Sequence, residues 1–225
     1  MGDWGQNIVE RPAAPDQSHA VVLENCFFFS ALLFRYPDDA VYHGIRENLQ
    51  TFSDFLSAYG GQVPQVPPSE DLQAEYVGLF VNNKGFVPAV PYAAYHIDDG
   101  RLMGDSYDRL RQTMAETGFQ LDPSVKELED HLTILLEYAA TLVRSVAGSE
   151  GADTGGHFEA RALVEVTGNY IQPVIEAILP GIDQYATLDF YRIAARALRE
   201  FIRDTAGIYE IIPGFPENAW SKKAE

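Results

Sequence analysis

Apolar residues recur at helical spacing in every long segment of the chain. Val22, Cys26, Phe29 and Leu33 fall at i, i+4, i+7 and i+11, and Leu23, Phe27, Ser30 and Phe34 form an adjacent row. A stripe that wide predicts a helix from Ser18 buried on most of its circumference. Pro37 is expected to start the next helix, with Asp38 and Asp39 at its positive end and Val41, Ile45, Leu49, Phe52 and Leu56 as its core face. Gly60-Gly61 supplies its stop. After the connector QVPQVPP, Ser69 is expected to cap a helix whose Leu72, Tyr76, Leu79 and Phe80 share one side. Asp122-Pro123 reads as another helix start, Asp130 begins a strongly apolar one, and Ala147 to Gly156 reads as a surface loop. Further helices follow near Phe158–Val166, across a stretch broken around Pro173 and Pro180, and from Leu188 to Arg203, the last apolar on two sides. Sustained period-two alternation is missing from the sequence, so the fold class is all-α, a bundle of about eight or more helices.

Asn82 to Gly104 breaks the pattern. Pro88, Pro91 and Gly100 interrupt it, and Phe86, Tyr92 and Tyr95 follow no helical period. An ordered irregular loop is expected there, the kind of segment that carries function. The organisation is then a loose arm over 1–17, a helical domain over 18–212 with a hinge near 119–131, and a loose tail over 213–225.

Charge narrows the partners. Sixteen Lys and Arg stand against 33 Asp and Glu in 225 residues, a formal net charge of -17. That field repels phosphates, which excludes general nucleic-acid or anionic-membrane binding and favours a basic partner. Cys26 is the single cysteine and falls in an apolar helical run, so it reads as a small buried hydrophobe. No basic segment followed by an apolar core opens the chain, Gln6 stands where a myristoylation site would want Ser or Thr, and no apolar run is long enough to span a bilayer. A soluble cytoplasmic protein is the expectation.

The generic chemical motifs are missing: no phosphate-binding glycine loop, nucleophile elbow or zinc-protease helix appears in the sequence. The five histidines are dispersed, and His131 has Leu128 three residues before it, where a helical di-iron pair would need Glu. No cofactor or metal is therefore expected. One polar constellation remains, Glu127, Glu129, Asp130 and His131, ahead of an apolar helix with Glu137 further along. Asp130 could simply cap that helix. Alternatively, carboxylate and imidazole together could bind a polar or charged segment. Leu79 and Phe80 are core or binding surface on the same pattern, and Tyr92 and Tyr95 either pack the loop or line a groove for an apolar peptide.

The order EYVGLFVNN, VPAVPYAAYH, GRLMGDS, ELEDHLTILLEYAATL and LDFYRIAARALREFI resembles the TorD/NarJ family of redox-enzyme maturation chaperones, over roughly Val22 to Arg203. Two departures accompany it. Leu128 and Glu129 stand where relatives commonly have a Pro, and NYIQPVIEAILP lacks a His and a Trp found in many. The resemblance implies an all-α fold, no enzymatic activity, and binding to the precursor of a molybdopterin-dependent oxidoreductase, often through its twin-arginine signal peptide. Carried over residue by residue, it implies contacts from Leu79, Phe80, Pro91, Tyr92, Gly104, Asp130, His131 and Leu132, with Asp130 taking an arginine guanidinium and His131 orienting it. A monomer or homodimer fits equally. The alternatives at this stage are a helical hydrolase or metal enzyme using Asp130 and His131, and a structural adaptor.

Overall fold

A computed structural model describes residues 19–148 and 157–204. The expected terminal arm and tail, and most of the expected loop before residue 157, lie outside the described residues.

Two apolar helices build the centre. Helix α1 (His19–Leu33) packs along α7 (Leu132–Gly148), and both are buried on nearly all sides. Ion pairs tie the pair at both ends: Arg144 bonds Glu24, and Arg35 bonds the buried Glu137. The final helix, α10 (Asp189–Arg203), is buried on two sides as its pattern predicts, and Phe201 meets Phe27, Phe55 and Tyr59 edge to face.

The helix expected from Pro37 to Gly60 is in fact two, α2 (Asp39–Asn48) and α3 (Ser53–Gly60). Asn48 turns its amide back to the Gly44 carbonyl at 2.8 Å, and Phe52 stacks on Phe29 with centroids 4.2 Å apart. A side chain that competes for backbone and an aromatic anchor on α1 together end the first helix. Asp38, not Pro37, is the N-cap of α2, accepting from Val41 N at 2.9 Å. Helix α4 (Ser69–Tyr76) starts after Pro68 without a side-chain cap, so Ser69 is its first residue rather than its cap. It runs directly into a π-turn, Val77–Val81.

Helix α5 (Ala93–Ile97) lies inside the expected loop, and α6 (Asp105–Glu116) follows. Asp122-Pro123 starts no helix. Asp122 instead accepts from Ser124 N at 2.8 Å in a local turn, and 119–131 is a non-helical connector. Helix α8 (His157–Glu165) passes through a second π-turn, Val166–Ile171, into α9 (Gln172–Tyr185). The expected break at Pro173 does not end the helix, since that proline follows directly on the π-turn, where the helical ladder already changes register, and Pro180 lies within α9 without ending it.

Glu75 locks α4 to α10. Its buried carboxylate accepts from Thr187 N at 2.7 Å, Leu188 N at 2.9 Å and Thr187 Oγ1 at 2.7 Å, replacing the absent side-chain cap of α10. Glu75→Ala orphans those donors and is expected to cost about 2 kcal/mol in urea unfolding. A change under about 0.5 kcal/mol would show that water replaces the carboxylate freely.

Candidate functional site

The irregular segment after the π-turn is a strap drawn across the bundle by backbone bonds to distant elements. Asn82 N closes the π-turn on Val77 O at 2.8 Å, while Leu79 O accepts from Ala89 N at 3.0 Å. Further on, Tyr92 and His131 face each other in an isolated antiparallel bridge, made by Ala93 N to Asp130 O at 3.1 Å and Leu132 N to Pro91 O at 2.8 Å. Pro88 lies directly on the backbone of α9: a Cβ on Gly181 would stand 1.9 Å from the Pro88 carbonyl oxygen.

Between the strap and the π-turn runs a groove of about 760 Å³, with Phe80, Pro91, Tyr92, Glu127 and His131 among its lining residues. Its rim carries side chains that a folded chain ordinarily covers: Tyr36, Val81, Phe86, Tyr95 and Leu102 are all exposed, Val81 by 54%. Exposed apolar side chains gathered round one groove are the feature that makes it the candidate site. The polar groups are few. Glu127 is exposed and accepts from the Tyr92 hydroxyl at 2.5 Å. Burial, and then that hydrogen bond, push the Tyr92 phenol well above its ordinary range, so it remains a donor. His131 packs edge-on against the Tyr92 ring, centroids 5.1 Å apart. Burial, despite the attraction of Glu127, holds its imidazole below the ordinary value, so it is neutral at pH 7.

Four of the residues expected as contacts therefore line one groove: Phe80, Pro91, Tyr92 and His131. The other four do not. Leu79 and Leu132 are buried in the core. Gly104 is the N-cap of α6, and its missing Cβ makes room for Asp98, whose Oδ2 accepts from Ser106 N at 3.0 Å and Ser106 Oγ at 2.5 Å; a Cβ there would stand 2.3 Å from that oxygen. Asp130 is fully buried and faces away from the groove lining. It does not cap its own helix either. Its Oδ2 accepts from Ala94 N at 2.8 Å, pinning the strap, and its Oδ1 is sealed without a hydrogen-bond partner. Burial raises its carboxyl to about 6.

The expected guanidinium pairing with Asp130 is thus corrected, because in the extended bridge successive side chains alternate sides. His131 turns to the groove and Asp130 to the interior. The accessible carboxylate is Glu127; its neighbour Glu129 is engaged by the Tyr107 hydroxyl and by Arg111 Nε at 3.1 Å. Tyr36, Phe86 and Leu102 were not legible as groove residues, since each comes from a different segment and shares no period with the others.

Among the described residues, no group of three or more His, Cys, Asp and Glu side chains is placed to hold a metal ion, and no helix is long and apolar enough to cross a membrane.

The family described as nitrate reductase delta subunit matches residues 38–180, well over half of the chain. The chain belongs to this family, that of the TorD and NarJ proteins. Chaperone protein TorD of Vibrio cholerae serotype O1 is 26% identical over 134 residues, which cover 59% of this chain and 60% of that protein. Chaperone protein TorD of Shewanella pealeana is 27% identical over 144 residues, covering 60% and 59%. The matches thus span about 60% of these relatives' length. A solved structure from Archaeoglobus fulgidus, described as a redox enzyme maturation protein, superposes with a TM-score of 0.51 at 20% identity, covering 86% of this chain and 99% of that one. The all-α fold is the fold of that protein. The family's named members are chaperones rather than catalysts.

Proposed function

We propose that the protein is a cytoplasmic maturation chaperone that binds the precursor of a molybdopterin-dependent oxidoreductase, holding its twin-arginine signal peptide in the groove until the cofactor is inserted. The observation that carries this reading is the groove itself: an exposed apolar rim with one accessible carboxylate, Glu127, on a chain of net charge -17. An extended segment with arginines beside apolar residues matches both features, its side chains on the rim and a guanidinium on Glu127. The family membership and the named chaperones support the class of client. The overall negative field speeds encounter more than it deepens affinity.

Calorimetric titration with a synthetic peptide, two adjacent arginines followed by an apolar stretch, tests the reading. Binding is expected to weaken markedly from about 0.1 M to about 1 M salt, as the Debye length falls from about 10 Å to about 3 Å. Glu127→Gln, which keeps an acceptor for Tyr92 but removes the charge, should weaken binding about tenfold. A peptide that binds equally well with lysines, high salt and Glu127→Gln would leave an apolar groove without arginine recognition.

A further inference from the structure

His131 lines the groove with a ring whose orientation and proton position are both set from behind. Its Nδ1 faces Thr133, 2.8 Å from the hydroxyl oxygen and 3.3 Å from the backbone nitrogen. A backbone N–H can only donate, so Nδ1 is an acceptor, and the hydroxyl can donate to it as well. In a neutral imidazole the single proton then resides on Nε2. Among the described residues no protein group bonds Nε2, and it is not one of the polar atoms sealed from solvent. The Tyr92 ring, set at 75° to the imidazole, and the bridge that joins their backbones hold the ring in place.

We infer that His131 is a fixed Nε2–H donor that takes a main-chain carbonyl of the bound segment, and that Thr133 is the positioning residue that fixes its tautomer. The inference rests on the groove's holding an extended peptide, and it refines what the groove reads. A neutral N–H donor gives nothing to a guanidinium, which carries only donors, so His131 cannot be the arginine contact. Glu127 accepts the cationic side chain, and His131 donates to the backbone beside it. Such a pair recognises an arginine and the direction of the chain that carries it, with the apolar rim left for the side chains beyond.

Nitrogen NMR of the histidine-labelled full chain near pH 7 tests the first half without any ligand, the His131 signals being assigned by their loss in His131→Gln. The expected spectrum has an unprotonated Nδ1 and a protonated Nε2; a protonated Nδ1 overturns the inference. Addition of the two-arginine peptide should shift the Nε2–H resonance and slow its exchange with water. Thr133→Val removes the hydroxyl bond but keeps the backbone N–H on Nδ1, so it should leave Nε2 protonated while loosening the ring and weakening binding about threefold, and Thr133→Ser should restore the affinity. The wild-type spectrum decides the tautomer even where Thr133→Val folds poorly. Peptide that binds with the Nε2–H signal unmoved overturns the inference while leaving the function standing. A wild-type protein that binds no such peptide overturns both.

Discussion

Gly181→Ala is expected to destabilise the protein by more than about 3 kcal/mol and to abolish most peptide binding, although the same change in an ordinary helix stabilises by up to about 1 kcal/mol. The sign is the test. A Cβ at 181 would stand 1.9 Å from the Pro88 oxygen and 2.7 Å from its carbonyl carbon, backbone that cannot rotate aside as a side chain would. Helix α9 cannot retreat, because Ile178, Leu179 and Ile182 fix it in the core. The strap must therefore lift. Its bond from Ala89 N to Leu79 O stretches first, and Pro91 and Tyr92 lose their place over His131. Hydrogen exchange should accelerate at Ala89 and Ala93 ahead of the helices, and calorimetry should show the loss of affinity. Gly78→Ala is the control: no atom lies within 4 Å of its Cβ, so stability and binding should hold. Wild-type melting and affinity in Gly181→Ala would mean that the strap rides freely above α9.

The contrast between α9 and the strap also separates what was legible in the sequence from what was not. Helices α1, α7 and α10 are apolar on more than one side, and the 3.6-residue period alone identifies them as central. The turn between α2 and α3 was hidden, because Leu49 and Phe52 keep the helical period while Asn48 and the Phe29 stack end the helix. The strap was hidden for a different reason: its anchors are far apart in the chain. Ala94 finds its acceptor in Asp130, 36 residues away, and Pro88 finds its seat on Gly181. Of the candidate site, Phe80, Pro91, Tyr92 and His131 belong to separate motifs of the sequence and line one groove. The motif could not say which of two adjacent residues faces outward. Asp130 and His131 are neighbours in sequence but lie on opposite sides of a bridge that only the Pro91–Ala93 backbone creates.

Asp130→Asn should bind the two-arginine peptide as well as wild type does, and should differ from it instead in how stability responds to pH. The carboxyl lies at about 6 in the folded protein against an ordinary 3.8, raised first by burial and further by Glu129 and Asp98, against the lowering pull of the Ala94 N–H. Between those two values the folded state holds a proton that the unfolded state has released, so stability from this group rises as pH falls. It is lost again as pH rises through about 6, where folding must bury an ionised carboxylate. The full difference is on the order of 3 kcal/mol, of which about 1 kcal/mol appears between pH 7.5 and 5. The asparagine keeps an oxygen for Ala94 N and has no charge to bury, so it carries none of this slope. Urea titrations of both proteins across that range isolate the residue: Glu129 and Asp98, both held below the ordinary carboxylate range, stay ionised throughout it in either protein, and the shift of Glu137, set by burial and Arg35, is common to both. Wild type should gain on the variant with acidification and stand level with it or below it at pH 8. A difference that stays flat would show that water or a cation reaches Oδ1. A large loss of peptide affinity at unchanged stability would instead return Asp130 to the role of arginine contact, and Glu127→Gln measured beside it decides which carboxylate the client meets.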